Sequence, residues 1–440
     1  MILQPGQIRT NKLLLLIIIL LDLVGFSLIF PLVPDLLEHY LVNSANHRID
    51  QWLLPLFSSI VEFIAQKIDN PEEQRIIIFG GILSSVYSIL QFLVAPFWGR
   101  LSDRVGRRKI LIISSGGLAV SYLIWFFSSS FTSFFISRIL GGMMAGNLGV
   151  ASAAMADMTS TKERTRDLGM VGAAIGIGFI IGPALGGLAA RVNFTEIFHD
   201  VKMFHPYSFC SLISVCLSGG SAIFNFILFR ETLHRKGKSH VWINNPIKTI
   251  QTDLNIKGIH YLFLMNFFYM LTFTGFEFTI TFFYKLSFGL SPTEIGFIFF
   301  YLGILLAIGQ GGLVRVLTPK MGERTMALIG LFLMPLPVYL MAFCAPHVYL
   351  SLICLLPISI GASLIQPALS GLTSLMTPTD RQGLALSVLR STGSLARAMG
   401  PLAGAYLYWN YGIKTTYQVQ AIALGLVFFL AFKLQERRRV

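Results

Sequence analysis

The chain has 440 residues, of which 54% are hydrophobic and only 12% are charged, with a formal net charge of +13. Soluble domains are typically about 45–50% apolar and about 25% charged, so this composition excludes an ordinary soluble protein and indicates a membrane protein. The basic residues lie in short loops between long apolar runs, which argues against nucleic-acid binding. The four cysteines lie in apolar runs without a CxxC pair, so the sequence indicates neither a metal site nor a disulfide framework.

Twelve apolar runs are long enough to cross a bilayer, which takes about 20 helical residues. The first run follows Arg9 and Lys12, and no small-residue cleavage site follows it, so we interpret it as a retained helix rather than a signal peptide. The predicted spans are approximately 13–33, 76–98, 109–128, 131–155, 168–190, 207–229, 259–283, 293–316, 325–344, 347–375, 383–407 and 416–434.

The basic residues predict the orientation. Of the 34 Lys and Arg residues, all but ten lie at the termini or in loops on their side; seven lie in the opposite loops and three inside spans. The positive-inside rule therefore predicts cytoplasmic termini. Residues 35–75 become a long non-cytoplasmic loop, in which the apolar but interrupted stretch 52–68 is expected to form an interfacial helix or a lid.

The two halves of the chain repeat a pattern. GRLSDRVGRRK (99–109) follows the second span, and a weaker counterpart, RVLTPKMGER (315–324), follows the eighth. Gly182-Pro183 in the fifth span has a counterpart in Gly400-Pro401 of the eleventh. These repeats predict an all-α membrane protein with twelve transmembrane helices in two pseudo-symmetric six-helix bundles, at residues 1–229 and 259–440, joined by a basic cytoplasmic linker at 230–258.

The loop GRLSDRVGRRK is the most specific local signal. Its glycines permit a tight turn, its aspartate can accept hydrogen bonds from a helix N-terminus, and its arginines can hold acidic partners or lipid phosphates. We expect a conformational-switch loop formed by Gly99, Asp103, Arg104, Gly106, Arg107 and Arg108.

This loop resembles the signature between the second and third helices of the major facilitator superfamily. LLDLVGFSLIFPLVP (20–34) and RILGGMMAGN (138–147) are similar to the first- and fourth-helix motifs of its twelve-helix drug:proton antiporter branch, and YSILQFLVAPFWGRLSDRVGRR (87–108) is similar to the tetracycline-efflux branch. GFIIGPALGG (178–187) resembles the glycine-proline signature of the antiporters' fifth helix. That likeness implies a seal against leak made by Gly178, Gly182, Pro183, Gly186 and Gly187.

The second half resembles the animal tetracycline-transporter-like (TETRAN) proteins in GFEFTITFF (275–283), GQGGLVR (309–315) and LRSTGSLARAMGPL (389–402), as does the long first loop, which bacterial tetracycline pumps lack. The resemblance covers nearly the whole chain. It implies a secondary transporter of organic anions or of amphipathic drugs such as tetracycline-like compounds.

Few ionisable residues lie inside the spans. Of the 21 Asp and Glu residues, only Asp22 and Glu277 lie well inside one, and no histidine does, so proton coupling would have to use a carboxylate. Asp22 lies about 14 Å from the cytoplasmic start of its helix, and Arg138 about 10 Å from the outer start of the fourth. At these depths the two side chains can meet, either as a charge pair that a proton breaks or as a static pair between helices.

Arg390 and Arg397 are two helical turns apart on one face of the eleventh span. An arginine within the membrane needs an anion, which for Arg397 is either Glu277 or an anionic substrate, whereas Arg390 can also snorkel to the interface. Five further polar residues can line a substrate cavity or form interhelical hydrogen bonds: Tyr87, Gln91, Asn147, Gln310 and Gln366. Asn193 begins an N-glycosylation sequon on a non-cytoplasmic loop.

The leading hypothesis is a proton-coupled secondary transporter, monomeric and embedded in the plasma membrane or an organelle membrane, that moves a small molecule by alternating access. The alternatives are an uncoupled organic-anion facilitator or exchanger, and a receptor or scaffold with a transporter fold. The sequence has no metal-ligand cluster, no nucleotide-binding glycine loop and no nucleophile–base constellation. We therefore expect no enzyme, no cofactor and no metal.

Overall fold

A computed structural model of the chain describes residues 5–43, 50, 55, 71–159, 164–198, 204–233, 258–345, 347–378 and 382–434, and all regular elements in them are helical. Ten helical runs in this part of the chain are long and apolar enough to cross a membrane. Two of these runs, Pro292–Met341 and Val388–Ala431, have 50 and 44 residues. Each contains a glycine with left-handed φ, 76° at Gly322 and 74° at Gly412, where the helix is interrupted. Each long run therefore holds two spans, and the all-α fold with twelve transmembrane helices is confirmed.

The helices, in chain order, are α1 (Pro5–Ser27), α2 (Val33–Asn43), α3 (Pro71–Val105), α4 (Arg107–Phe126), α5 (Phe131–Met144), α6 (Asn147–Asp157), α7 (Arg164–Ala189), α8 (Phe194–Ile197), α9 (Ser208–Ile227), α10 (Ile259–Phe288), α11 (Pro292–Ile308), α12 (Val314–Leu333), α13 (Pro335–Met341), α14 (Val348–Met376) and α15 (Gln382–Ala431). A short 3-10 turn, Phe30–Leu32, precedes α2, and a π-helical turn, Gly309–Leu313, joins α11 to α12. The predicted interfacial stretch 52–68, apart from residue 55, and residues 234–257 of the predicted linker lie outside the described residues.

The chain forms two compact units. The first comprises Met1–Glu62, Val86–His240 and Leu290–Gly303, and the second comprises Phe63–Ser85, Val241–Gly289 and Ile304–Val440. Helix α3 therefore begins in the second unit and continues in the first, while α11 begins in the first. The sequence-based division at 230–258 stays a prediction.

Small residues allow the helices of the first unit to approach closely. Helices α4 and α9 pack along rows of buried serines, several of whose hydroxyls donate to a backbone carbonyl one turn earlier or to a group on a neighbouring helix. Ser214 illustrates both arrangements, since its hydroxyl donates to Cys210 O at 3.3 Å and to Gly25 O of α1 at 3.1 Å. Such close packing is what holds helices together in lipid, where apolar burial alone gives little association.

Glycines have the same role in the second unit, where α10 crosses α15. A Cβ atom added at Gly400 would lie 2.0 Å from Thr274 Oγ1, and one at Gly404 would lie 2.8 Å from Gly275 O. Only glycine permits this contact. The crossing of α10 and α15 brings the segment around Glu277 close to the segment around Arg397.

Candidate functional site

Asp22 of α1 is buried, and its carboxylate accepts hydrogen bonds from neighbouring helices. Its Oδ2 accepts hydrogen bonds from the hydroxyl of Ser115 on α4, at 3.0 Å, and from the amide of Asn147 on α6. The Ser221 hydroxyl of α9 donates to Ser115 Oγ at 3.2 Å and extends the network to a fourth helix. The other oxygen of Asp22, Oδ1, has no hydrogen-bond partner. Sequence reasoning named Asp22 and Asn147 but missed the two serines.

A break in the fourth span creates this arrangement. The span is interrupted at Ala145–Gly146, between α5 and α6, which frees backbone carbonyls in the membrane. Side chains of α3 satisfy them: Trp98 Nε1 donates to Met143 O at 2.7 Å, and Gln91 Nε2 donates to Ala145 O at 3.2 Å. Because Asn147 is the first residue of α6, the positive end of that helix dipole lies near the Asp22 carboxylate.

Arg138 lies in an aromatic enclosure in the same unit. Its guanidinium carbon is 5.1 Å from the ring centroid of Trp125, 5.4 Å from that of Tyr122 and 5.5 Å from that of Phe134. Its Nε donates to the Ser137 hydroxyl at 3.3 Å, whereas Nη2 has no hydrogen-bond partner. Cation–π contacts of this kind compensate part of the cost of burying a guanidinium.

Asp22 and Arg138 do not form an ion pair in this structure, although their depths allowed one. The carboxylate bonds to Ser115 and Asn147, and the guanidinium to Ser137 and three rings. Tyr87, a predicted cavity residue, is buried and stacks on Phe26 with ring centroids 5.0 Å apart.

The second unit holds the other intramembrane acid. Glu277 of α10 is half-buried and forms no hydrogen bond or ion pair with any described residue. Arg397 of α15 is exposed, and its Nη2 donates to the Ser394 hydroxyl at 3.0 Å. The two charges interact electrostatically without forming a direct ion pair. Of the two arginines that the sequence offered to Glu277, the electrostatics select Arg397.

Gln366 and Asn266 join three helices of this unit. Gln366 Nε2 of α14 donates to Asn266 Oδ1 of α10 at 3.2 Å, and Asn266 Nδ2 donates to Leu389 O of α15 at 2.8 Å. Gln366 is thus an interhelical hydrogen-bonding residue in this structure. Arg390 and Gln310 are exposed, the latter in the π-helical turn. π-helical turns within α-helices are frequent at functional sites.

The signature loop between α3 and α4 is held by ionic contacts within the first unit. Gly106 turns the chain with φ 113°, and the Glu231 carboxylate accepts from the backbone amides of Arg107 and Arg108 at 2.9 and 3.2 Å. Arg107 also pairs with Asp103 at 2.7 Å and with Asp157 at 2.9 Å. Asp103 therefore pairs with an arginine of its own loop and not, as expected, with a helix N-terminus. Gly99 has open space around it and Arg104 is exposed.

The glycine-proline motif of α7 lets that helix pack on two neighbours. Added Cβ atoms at Gly178, Gly182 and Gly186 would lie 2.0–2.6 Å from atoms of α1 or of the residue after it. At Gly187 a Cβ would lie 2.7 Å from Pro292 O of α11, and the Thr293 hydroxyl donates to Gly187 O at 2.6 Å. Pro183 O lies 2.7 Å from the Cβ position of Gly296, also on α11.

Asn193 and His205 lie in the loop between α7 and α9. The Asn193 side chain caps α8 by accepting from the amide and hydroxyl of Thr195, at 3.1 and 2.7 Å. The buried His205 ring contacts Trp125 O through Nε2 at 3.0 Å, while its Nδ1 accepts from the Tyr207 amide at 3.2 Å. Burial lowers the pKa of His205 to about 3, so the ring is neutral with its proton on Nε2.

Comparison with known proteins identifies the class. The family model of the major facilitator superfamily matches residues 15–318 and 262–440. The chain therefore belongs to the major facilitator superfamily, and it is a multi-pass integral membrane transporter rather than an enzyme. The resemblance inferred from the sequence motifs is confirmed.

Two relatives and one solved structure resemble the chain over most of its length. Major facilitator superfamily domain-containing protein 10 of Mus musculus is 30% identical over 457 residues, covering 98% of this chain and 94% of that protein. The class H tetracycline resistance protein of Pasteurella multocida is 29% identical and covers 90% of this chain and 88% of that protein. A crystal structure of the human organic anion transporter MFSD10 (TETRAN) superposes with a TM-score of 0.75 at 27% identity, covering 97% of this chain and 100% of that one.

Proposed function

We propose that this transporter carries organic anions and that proton binding to Glu277 promotes binding of the anion at Arg397. The observation that carries the proposal is the state of Arg397, an exposed residue in a membrane span whose guanidinium has only the Ser394 hydroxyl as a hydrogen-bond partner among the described residues. An ionisable residue in a span faces the bundle interior or a water-filled cavity and marks a functional site by default. The name of the human relative, an organic anion transporter, supports this substrate class.

Glu277 supplies the link to protons. Its carboxylate is close enough to Arg397 to attract it but makes no direct ion pair. Without substrate, Glu277 partly neutralises Arg397 and competes with an incoming anion. A proton on Glu277 removes that competition, so proton and anion binding reinforce each other, as linkage requires. Asp22 is a second intramembrane carboxylate, and Arg138 is a second intramembrane cation, which is buried against aromatic rings.

The test is uptake of a radiolabelled aromatic carboxylate by purified protein in liposomes, with and without a pH gradient. We expect wild-type uptake to follow the proton gradient, because proton and anion move together. Arg397→Gln should reduce uptake at least tenfold. Glu277→Gln should retain uptake that no longer responds to the gradient, since glutamine cannot titrate.

Glu294→Gln is the matched control, because this exposed glutamate at the start of α11 bonds only to Ser291 among the described residues. It should leave uptake and its gradient dependence unchanged. Gradient-driven uptake that persists in Glu277→Gln would remove Glu277 from the coupling. Wild-type exchange without any gradient response would instead support an uncoupled organic-anion exchanger, and preferential uptake of a quaternary ammonium dye would refute the anion assignment.

A further inference from the structure

Two of the four cysteines lie side by side in the second unit. The Sγ atoms of Cys344 and Cys354 are 4.0 Å apart, and both side chains are buried. Cys344 lies just after the end of α13, and Cys354 lies in the second turn of α14. The other two cysteines, Cys210 and Cys216, lie in α9 of the first unit.

The turn holds Cys344 in this position. Hydrogen bonds from the amides of Ala342, Phe343 and Cys344 to Tyr339 O, Leu340 O and Met341 O, at 3.1, 2.9 and 3.2 Å, continue the helical path beyond α13. The Cys344 thiol contacts Leu340 O at 3.4 Å. A disulfide needs sulfurs about 2.05 Å apart, so rotation of the two side chains must close about 2 Å without unwinding either helix.

We infer that Cys344 and Cys354 form a disulfide that ties α13 to α14 in the mature protein. The inference rests on the orientation that the positive-inside rule predicts, in which the α13–α14 turn lies on the non-cytoplasmic side, together with Asn193. For a transporter at the cell surface or in the secretory pathway, that side is oxidising, and structural disulfides persist there.

The chemistry is thiol–disulfide exchange with a disulfide oxidant of the secretory compartment. One cysteine thiolate attacks the oxidant, forms a mixed disulfide and releases one thiolate. The second cysteine thiolate attacks the sulfur of the first and releases the other. The two cysteines lose two electrons and two protons, and the oxidant gains both as two thiols. The bond must form during folding, before the helices bury the sulfurs, because buried thiols are poor nucleophiles.

Counting thiols tests the inference. Cells that express the full chain are quenched with acid, and the protein is denatured and labelled with a polyethylene glycol maleimide, with or without prior reduction. We expect two labels without reduction, on Cys210 and Cys216, and four after reduction. Cys344→Ser should give three labels under both conditions, and the matched control Cys210→Ser should give one and then three. Four labels on the unreduced wild type would overturn the inference.

Two further measurements test the disulfide separately from the predicted membrane orientation and from the transport proposal. A mobility shift after endoglycosidase treatment would show that the Asn193 sequon carries a glycan and therefore lies on the non-cytoplasmic side. Reductant should lower the unfolding temperature of the wild type by several degrees and leave that of Cys344→Ser unchanged. Equal effects of reductant on both proteins would also overturn the disulfide. Neither readout depends on the transported substrate.

Discussion

Asp22 in the first unit and Glu277 in the second are both membrane-embedded carboxylates, but their surroundings differ. Asp22 is buried and accepts two hydrogen bonds from neutral donors at a break in the fourth span, and Arg138 of the same unit is enclosed by aromatic rings. Glu277 accepts no hydrogen bond from the described residues and faces an exposed arginine across a glycine contact. A carboxylate held by neutral groups is integrated into the packing of its unit, whereas one that interacts with an arginine without a direct ion pair remains available to a proton or a ligand.

The largest loss of stability is expected from a substitution at Gly186. The α1–α7 contact at this residue keeps the Asp22 network assembled. A Cβ atom there would lie 2.0 Å from Leu28 O, which is backbone and cannot move aside. Gly186→Ala should destabilise the protein by about 3 kcal/mol, because overpacking in a rigid contact forces the helices apart. The measurement is the unfolding temperature in detergent, together with the monodisperse fraction.

Gly176 on the same helix is the matched control. Nothing lies within 4 Å of its Cβ position, so Gly176→Ala should leave stability unchanged or raise it by roughly 0.5–1 kcal/mol through helix propensity. An equal loss of stability in both variants would show that α7 is sensitive to substitution for a reason other than close contact.

The next largest loss of stability is expected at Asp22, and it distinguishes this carboxylate from Glu277. Asp22→Leu should destabilise the protein by about 2 kcal/mol, because it leaves the Ser115 hydroxyl and the Asn147 amide buried without an acceptor. Glu277→Leu should change stability by less than about 0.5 kcal/mol, because no hydrogen bond is lost and burying a leucine is favourable. Thermal unfolding of the two variants side by side tests the distinction. Asp22→Asn, which keeps an acceptor oxygen, should recover most of the stability lost in Asp22→Leu.

The number and type of helices were predictable from the sequence because apolar length alone encodes a span. The partners of the charged residues inside the spans were not predictable from the sequence. Depth along two helices allowed an Asp22–Arg138 pair, but depth does not fix helix rotation, and the rotation turns Asp22 toward Ser115. The break at Ala145–Gly146 also left no clear signal, because it depends on Trp98 and Gln91 from another helix. Serines in apolar helices usually bond to their own backbone, so Ser115 gave no indication of its role.

A smaller effect is expected from Arg138→Lys. Lysine keeps the positive charge but loses the planar guanidinium that lies against Tyr122, Trp125 and Phe134. We expect a loss of about 1 kcal/mol in stability and a severalfold fall in aromatic carboxylate uptake. Uptake kinetics by the liposome assay provide the check. If Arg138 is only a structural cation, the unfolding temperature should fall while uptake per folded molecule stays at the wild-type level.

The smallest effect is a pH dependence at His205, outside the spans. Burial lowers the pKa of this imidazole in the folded protein to about 3, while in the unfolded chain it is near its ordinary value of 6.5. The folded state therefore favours the neutral ring, whose Nδ1 accepts from the Tyr207 amide and whose Nε2–H donates to Trp125 O. The stability from this group is complete above pH 6.5 and is lost as the pH falls toward 3, because the unfolded chain then binds the proton more tightly.

Between pH 8 and pH 6 this loss amounts to about 0.8 kcal/mol. His205→Gln should flatten that part of the pH profile of the unfolding temperature, while the exposed His347→Gln should leave it unchanged. The His39 ring lies 6.4 Å from His205, and a proton on either imidazole would repel a proton on the other. A pH profile of His205→Gln that parallels the wild type would assign the acid sensitivity to His39 or to the carboxylates instead.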